Sequence, residues 1–232
     1  MARAVCPVLV ICAAALLTGC WGGVTRDVAA NVLSVEGEVL YQAPHQNSFR
    51  PLTPQTQPGP GAVLRTSAGA QTHLALLPGA CIQVSENSEV RIEELRLTKD
   101  GNETDDGMRY RAARLRLLHG SITVVFERRD ASELRFGVTT DHADLSADED
   151  CICRIAAEKN KTRVTCVDGK AYASGGNTQR SIIKAGYFQE WPGGSVLPAA
   201  DDVRAQSDVA DGLEAARVLQ QLLRARADRR PF

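Results

Sequence analysis

The sequence predicts an all-β fold, a rolled β-sandwich or short solenoid-like body, with one C-terminal amphipathic α-helix. Three observations predict it. Apolar and polar residues alternate in short runs from Val32 to about Val196. Glycine- and proline-bearing turns separate those runs. A template of apolar, x, apolar, x, x, Gly, x, apolar also recurs, at Leu74-Leu76-Gly79-Cys81, Leu115-Leu117-Gly120-Ile122 and Val164-Cys166-Gly169-Ala171. In each match alternate residues face one core, and the glycine supplies a turn at positive φ. The glycines are unevenly spaced, which argues against a regular repeat array.

The elements follow in order. "VLSVEGEVLY" reads as two strands on either side of Gly37, and "RPLTPQTQPGPG" as a proline-rich loop that cannot be an inner strand. "THLALLPGACIQV" is two strands around Pro78-Gly79, and "TKDGNETDDG" is a polar loop. "ARLRLLHGSITVVFE" is strand, glycine, strand, and "ELRFGVTT" is a further strand. "CICRIAAEKNKTRVTCVDGKAYA" is a hairpin with a continuation, and "RSIIKAGYFQEW" closes the set. In the tail, Val209, Leu213, Ala216, Leu219 and Leu223 follow helical spacing, with Ser207 or Asp208 as N-cap candidates. This helix, placed at 205–228, either docks on the β body or meets a partner.

The N-terminus gives an address. Residues 1–19 read as a lipoprotein signal peptide: Arg3 is the charged region and Ala4 to Leu17 is apolar but too short to span a bilayer comfortably. Leu17-Thr18-Gly19-Cys20 resembles the bacterial lipobox, which implies cleavage before Cys20 and lipidation of its thiol. Acyl chains would hold the protein on a membrane. Trp21 follows the cysteine where an inner-membrane retention signal places aspartate, so the outer membrane is the expected address. Residues 20–31 form a tether, and 32–197 the β domain. The expected setting is the cell envelope, facing the periplasm.

That setting governs the cysteines. Beyond Cys20, the expected mature chain holds Cys81, Cys151, Cys153 and Cys166. With residues 158–161 as the hairpin turn, counting outward sets Cys153 opposite Cys166, a separation that a disulfide can bridge. An oxidising compartment would close that pair. Cys81 and Cys151 are then left as a second pair, with all four cysteines on one face. Two alternatives stay open: free buried thiols, or a zinc site, for which the C-x-C spacing is poor.

Composition and motifs exclude more than they assign. Lys plus Arg number 27 and Asp plus Glu 28, so no net field recruits nucleic acid. No nucleophile elbow, zinc-protease motif or P-loop occurs, and no cofactor is expected. His45, His73, His119 and His142 are scattered, and His73, alternating with Leu74, is expected to face solvent. The acidic run "DHADLSADED" offers Asp144 and Asp148 as weak ligands for a hard cation, with a solvated loop as the competing reading.

Read together, the blocks "SFRPL", "GPGAVLRTSAGAQTHLALLPGACIQVSENSEVRI", "LRLLHGSITVVF", "RFGVTTDHADL", "TRVTCVDGKAYA" and "IIKAGYFQEW" resemble, in order, those of the FecR domain. They include the Arg65-Thr66 pair and the glycines at 61, 79, 120, 169 and 186, and they span about residues 35 to 195. Two positions depart from the pattern: Asp150 stands before Cys151 where Gly-Thr is usual, and Ala62 where Asp is frequent. The resemblance implies an all-β, extracytoplasmic, non-enzymatic domain. In well-known members the domain passes a surface signal to a sigma factor through a transmembrane helix and a cytoplasmic segment, neither of which is read in this sequence. The expectation is therefore a binding or scaffolding lipoprotein that meets an envelope protein or cell-wall glycan, with β-augmentation as one route. A module sensing a signal for a separate transmembrane protein is the alternative, and a metal-dependent enzyme at 141–150 a distant third.

Overall fold

The computed structural model describes residues 23–100, 107–128, 132–176 and 180–228. Cys20 and the signal segment lie outside them. The described chain is mostly strand, with one α-helix at its end. Among the described residues, no helix is long and apolar enough to cross a membrane.

Among the described residues, sixteen strands join in one continuous sheet that folds into two layers and takes a barrel-like form. Sheet I contains β1 (Val24–Asp27), β3 (Val39–Gln42), β4 (Arg50–Pro51), β5 (Val63–Thr66), β8 (Glu89–Lys99), β10 (Glu133–Thr139), β11 (Asp144–Ala147) and β14 (Ser181–Lys184). Sheet II contains β2 (Asn31–Glu36), β6 (Gln71–Leu77), β7 (Ala80–Val84), β12 (Cys151–Glu158), β15 (Tyr187–Trp191) and β16 (Leu197–Pro198). Two long strands belong to both layers. β9 (Met108–Phe126) pairs with β8 and β10 in its first half and with β7 and β12 in its second. β13 (Lys161–Ser174) pairs with β12 and β15 first, then with β11 and β14.

The template glycines make this rolling possible. Gly79, Gly120 and Gly169 all have positive φ, at 84°, 87° and 71°. Only Gly79 sits in a turn between strands; Gly120 and Gly169 lie inside β9 and β13, where each strand bends from one sheet into the other. They are corners rather than the strand-ending turns that the pattern predicts. A Cβ built on Gly169 would collide with the carbonyl oxygen of Asp150, and one on Gly120 with Ser88. β10 runs parallel to the first half of β9 because the second half of β9 has left for the other sheet.

Between the sheets lies one apolar core. Leu64, Val90, Ile92, Leu115, Leu117 and Phe136 from sheet I meet Leu74, Ile82, Ile122, Val124, Phe126 and Ile155 from sheet II. The expected tether is partly strand: β1 is exposed along its length and pairs with β8, Val24 opposite Lys99 and Asp27 opposite Arg96.

The helix α1 (Val203–Asp228) crosses the outer face of sheet II. Its cap is Asp202, whose carboxylate accepts a hydrogen bond from the Ala205 N–H at 2.8 Å, and not Ser207 or Asp208. Its inward stripe is Ala205, Gly212, Ala216 and Leu219, while Leu213 is 54% exposed, contrary to the sequence expectation. Gly212 allows close approach, since a Cβ there would lie 2.6 Å from a Val167 methyl.

Candidate functional site: the seam between the helix and sheet II

Strand register lays the outer face of sheet II out in rows. One row runs Ser34, His73, Gln83, Thr123, Arg154, Thr165 across six strands. The next runs Ala75, Cys81, Val125, Ile152. The first is polar and the second apolar, and α1 lies across both.

The apolar row takes the second half of the helix: Ala216, Leu219 and Leu223 pack on Cys81, Val125, Ile152 and Leu33. The polar row takes the first half through an ion network. Arg154 Nε is 3.1 Å from Asp208 Oδ1, and its other nitrogens reach the hydroxyls of Ser85, Thr123 and Ser121, each at 3.2 Å. Asp208 also accepts from Thr165 Oγ1 at 3.1 Å. Arg163, 8% exposed, reaches Glu190 at 2.6 Å and lies 3.6 Å from Asp202 and 3.7 Å from Asp208. Burial lifts the Asp208 carboxyl above its ordinary value, against the pull of Arg154 and Arg163. Burial also acts to raise Glu190, but hydrogen bonds from Arg163 and Lys161 outweigh it and hold that carboxyl below its ordinary value. This network escapes sequence reading. Alternation places Arg154 on the face opposite Cys153, but nothing in the strand says that a helix residue 54 positions downstream supplies its counter-ion.

His73 is also misplaced by the sequence. It is fully buried on the outer face of sheet II, next to α1, with Nδ1 2.8 Å from Ser34 Oγ. Burial lowers its pKa below 6.5, and Glu36 partly offsets that. Two open grooves flank the helix. One, of about 520 Å³, has His73, Gln83, Arg154, Asp211 and Glu214 among its walls; the other, of about 470 Å³, is more apolar and includes Leu77, Pro78, Leu97 and Leu223.

The cysteines divide between the two faces of sheet II. Cys153 lies directly opposite Cys166, as the counted register predicts, with a bulge between Ile152 and Cys153. Cys151, Cys153 and Cys166 share the inner core. Hydrogen bonds to Cys151 and then Cys166, together with full burial, push the Cys153 thiol well above 9.0. Cys81 faces outward beneath Leu219, so the expected Cys81–Cys151 pair and the single shared face are both incorrect. The four carry no disulfide in this structure.

The acidic run does not gather. Asp141 pairs with Arg116 at 2.9 Å, Glu149 with Lys170 at 2.9 Å, and Asp150 accepts from the Arg128 N–H at 2.6 Å. Asp148 lines a groove with Arg128, Arg135 and Arg180, and Asp144 is exposed on β11. Among the described residues, no three His, Cys, Asp or Glu side chains are placed to hold a metal.

Residues 62–172, which hold most of the core strands but not the helix side of the seam, match the model of the FecR protein family. This segment is similar to FecR domains. It carries β9, all but the last two residues of β13 and all three template glycines, and α1 lies beyond it. No curated protein matches the chain. Two crystal structures of a candidate anti-sigma factor from Parabacteroides distasonis ATCC 8503 are similar to it at 15% identity, with TM-scores of 0.41 and 0.40. The similarity covers 58% of this chain and 57% of each of those.

Proposed function

We propose that this protein is a lipid-anchored binding module of the bacterial envelope, held by Cys20 and presenting its FecR domain to an envelope protein or a cell-wall glycan. The observation that carries the reading is the seam. The core of the domain is filled by its own side chains, and the two grooves along α1 are concave surfaces with buried polar groups in reach. β1, exposed at the edge of sheet I, is a second surface able to pair with an extended segment. A second reading, a sensing module that relays to a separate transmembrane partner, is favoured by the FecR domain itself.

The test is fractionation with labelled palmitate, followed by cross-linking and purification of the tagged protein. The reading expects label, sedimentation with membranes and one reproducible partner, with label and sedimentation lost in Cys20→Ala. An unlabelled protein that fractionates with cytosolic markers would contradict it. The same address carries a bridge between Cys153 and Cys166, which face each other in the core. Non-reducing digestion of protein taken from the envelope should yield that linked peptide pair and leave Cys81 unlinked; four thiols that all alkylate after denaturation would remove the bridge.

A further inference from the structure

The larger polar groove holds a buried group that its neighbours leave unanswered. His73 Nε2 has no hydrogen-bond partner, although the ring is fully buried. Such a group carries an uncompensated desolvation cost until something meets it. When Nδ1 donates its proton to Ser34 Oγ, 2.8 Å away, Nε2 keeps an unanswered lone pair on a ring that lines the groove. The rim carries Glu86, just after β7, and Asp211 and Glu214, from α1. One cation stands against them in the groove wall, Arg154, which Asp208 engages at 3.1 Å and Asp211 at 3.4 Å, and Glu86 accepts from the Gly69 N–H. Arg217 engages Glu214 from outside the groove. Ala70, Ala215 and Val218 complete the walls, and their apolar surface suits a methylene stem.

We propose that this groove receives a cationic side chain, lysine or arginine, from a protein partner. Glu86, Asp211 and Glu214 take its charge, Ala215 and Val218 line its stem, and His73 Nε2 accepts a hydrogen bond from it. An anionic ligand would meet three carboxylates and one cation that is already occupied. The inference rests on the reading of the seam as a partner-binding surface and sharpens it to one kind of side chain.

The test titrates the full chain, kept in detergent micelles, with hexalysine and with hexaglutamate, following the His73 ring nitrogens by NMR. Hexalysine should shift the Nε2 signal saturably, and hexaglutamate should not. Glu86→Gln combined with Asp211→Asn should weaken hexalysine binding about tenfold, equivalent to about 1.4 kcal/mol. Glu133→Gln combined with Asp141→Asn, on sheet I, should leave it nearly unchanged. An Nε2 signal that does not move, or equal weakening by both variant pairs, would overturn the proposal. In either case a partner cross-linked elsewhere on the domain would leave the broader reading standing.

Discussion

From Val203 to Asp211 the helix is tied to sheet II by ions, with Ala205 and Val209 packed near Phe188, and from Gly212 to Leu223 by small and apolar side chains alone. The ionic half sets direction, because Arg154 donates to Asp208 and Arg163 lies between Asp202 and Asp208. The apolar half contributes burial with little directional demand. A partner that competes for the ionic half could therefore loosen one end of α1 while Leu219 keeps the other in place. The two halves also differ in how they should fail.

The largest effect is expected from Asp208→Ala. It leaves Arg154, which is 12% exposed, without its closest carboxylate, and breaking a buried pair from one side costs about 3 kcal/mol in a urea melt. Asp211→Ala, at a side chain 51% exposed, should cost less than about 0.5 kcal/mol. A similar loss from the two variants would mean that the network is too well solvated to fix the helix. Leu219→Ala should cost about 2–3 kcal/mol, since the side chain is 1% exposed and leaves a cavity over Val125 and Cys81. Gly212→Ala sets two terms against each other. Helix propensity gains about 1 kcal/mol, and crowding against Val167 costs about 1–3 kcal/mol. A net loss near 1 kcal/mol is expected, turning to a gain in a Val167→Ala background.

The smallest effect is in pH. His73 has a folded pKa below 6.5, so its neutral form favours the fold above pH 6.5, and that contribution is lost as pH falls from 6.5 through the folded value. Glu190, depressed below 4.5, behaves likewise at lower pH: its contribution is full above 4.5 and is lost as pH falls through its folded value. Asp208 is shifted the other way, so protonating it favours the fold and blunts the acid loss. Thermal melts should therefore show a first decline just below pH 6.5, and His73→Gln should remove that step while leaving the later one.

Legibility followed the range of the interaction. The β12–β13 register, down to Cys153 opposite Cys166, was readable because a short turn at 159–160 fixes it locally. The strands around Gly79 and Gly120 were readable from alternation. What alternation leaves open is the material covering a strand's second face. His73 and Cys81 both point outward, as their neighbours' parity requires, yet both are buried because α1 lies over that face. Leu213 fits a helical stripe by spacing, but the stripe that docks is offset toward Gly212 and Asp208, where Val167 and Arg154 receive it. Gly120 and Gly169 were rightly read as positions of positive φ, but as turns between strands; that they are bends inside β9 and β13 linking two sheets depends on pairings with strands far along the chain.

The most direct test of the seam as the recognition surface is to place a photo-crosslinking side chain at Val218, in the polar groove, and separately at Ile182, which is 51% exposed on sheet I. In intact cells, Val218 should give one discrete adduct that disappears with Glu86→Gln and Asp211→Asn, and Ile182 should give none. A discrete adduct from Ile182 with none from Val218 would contradict the account.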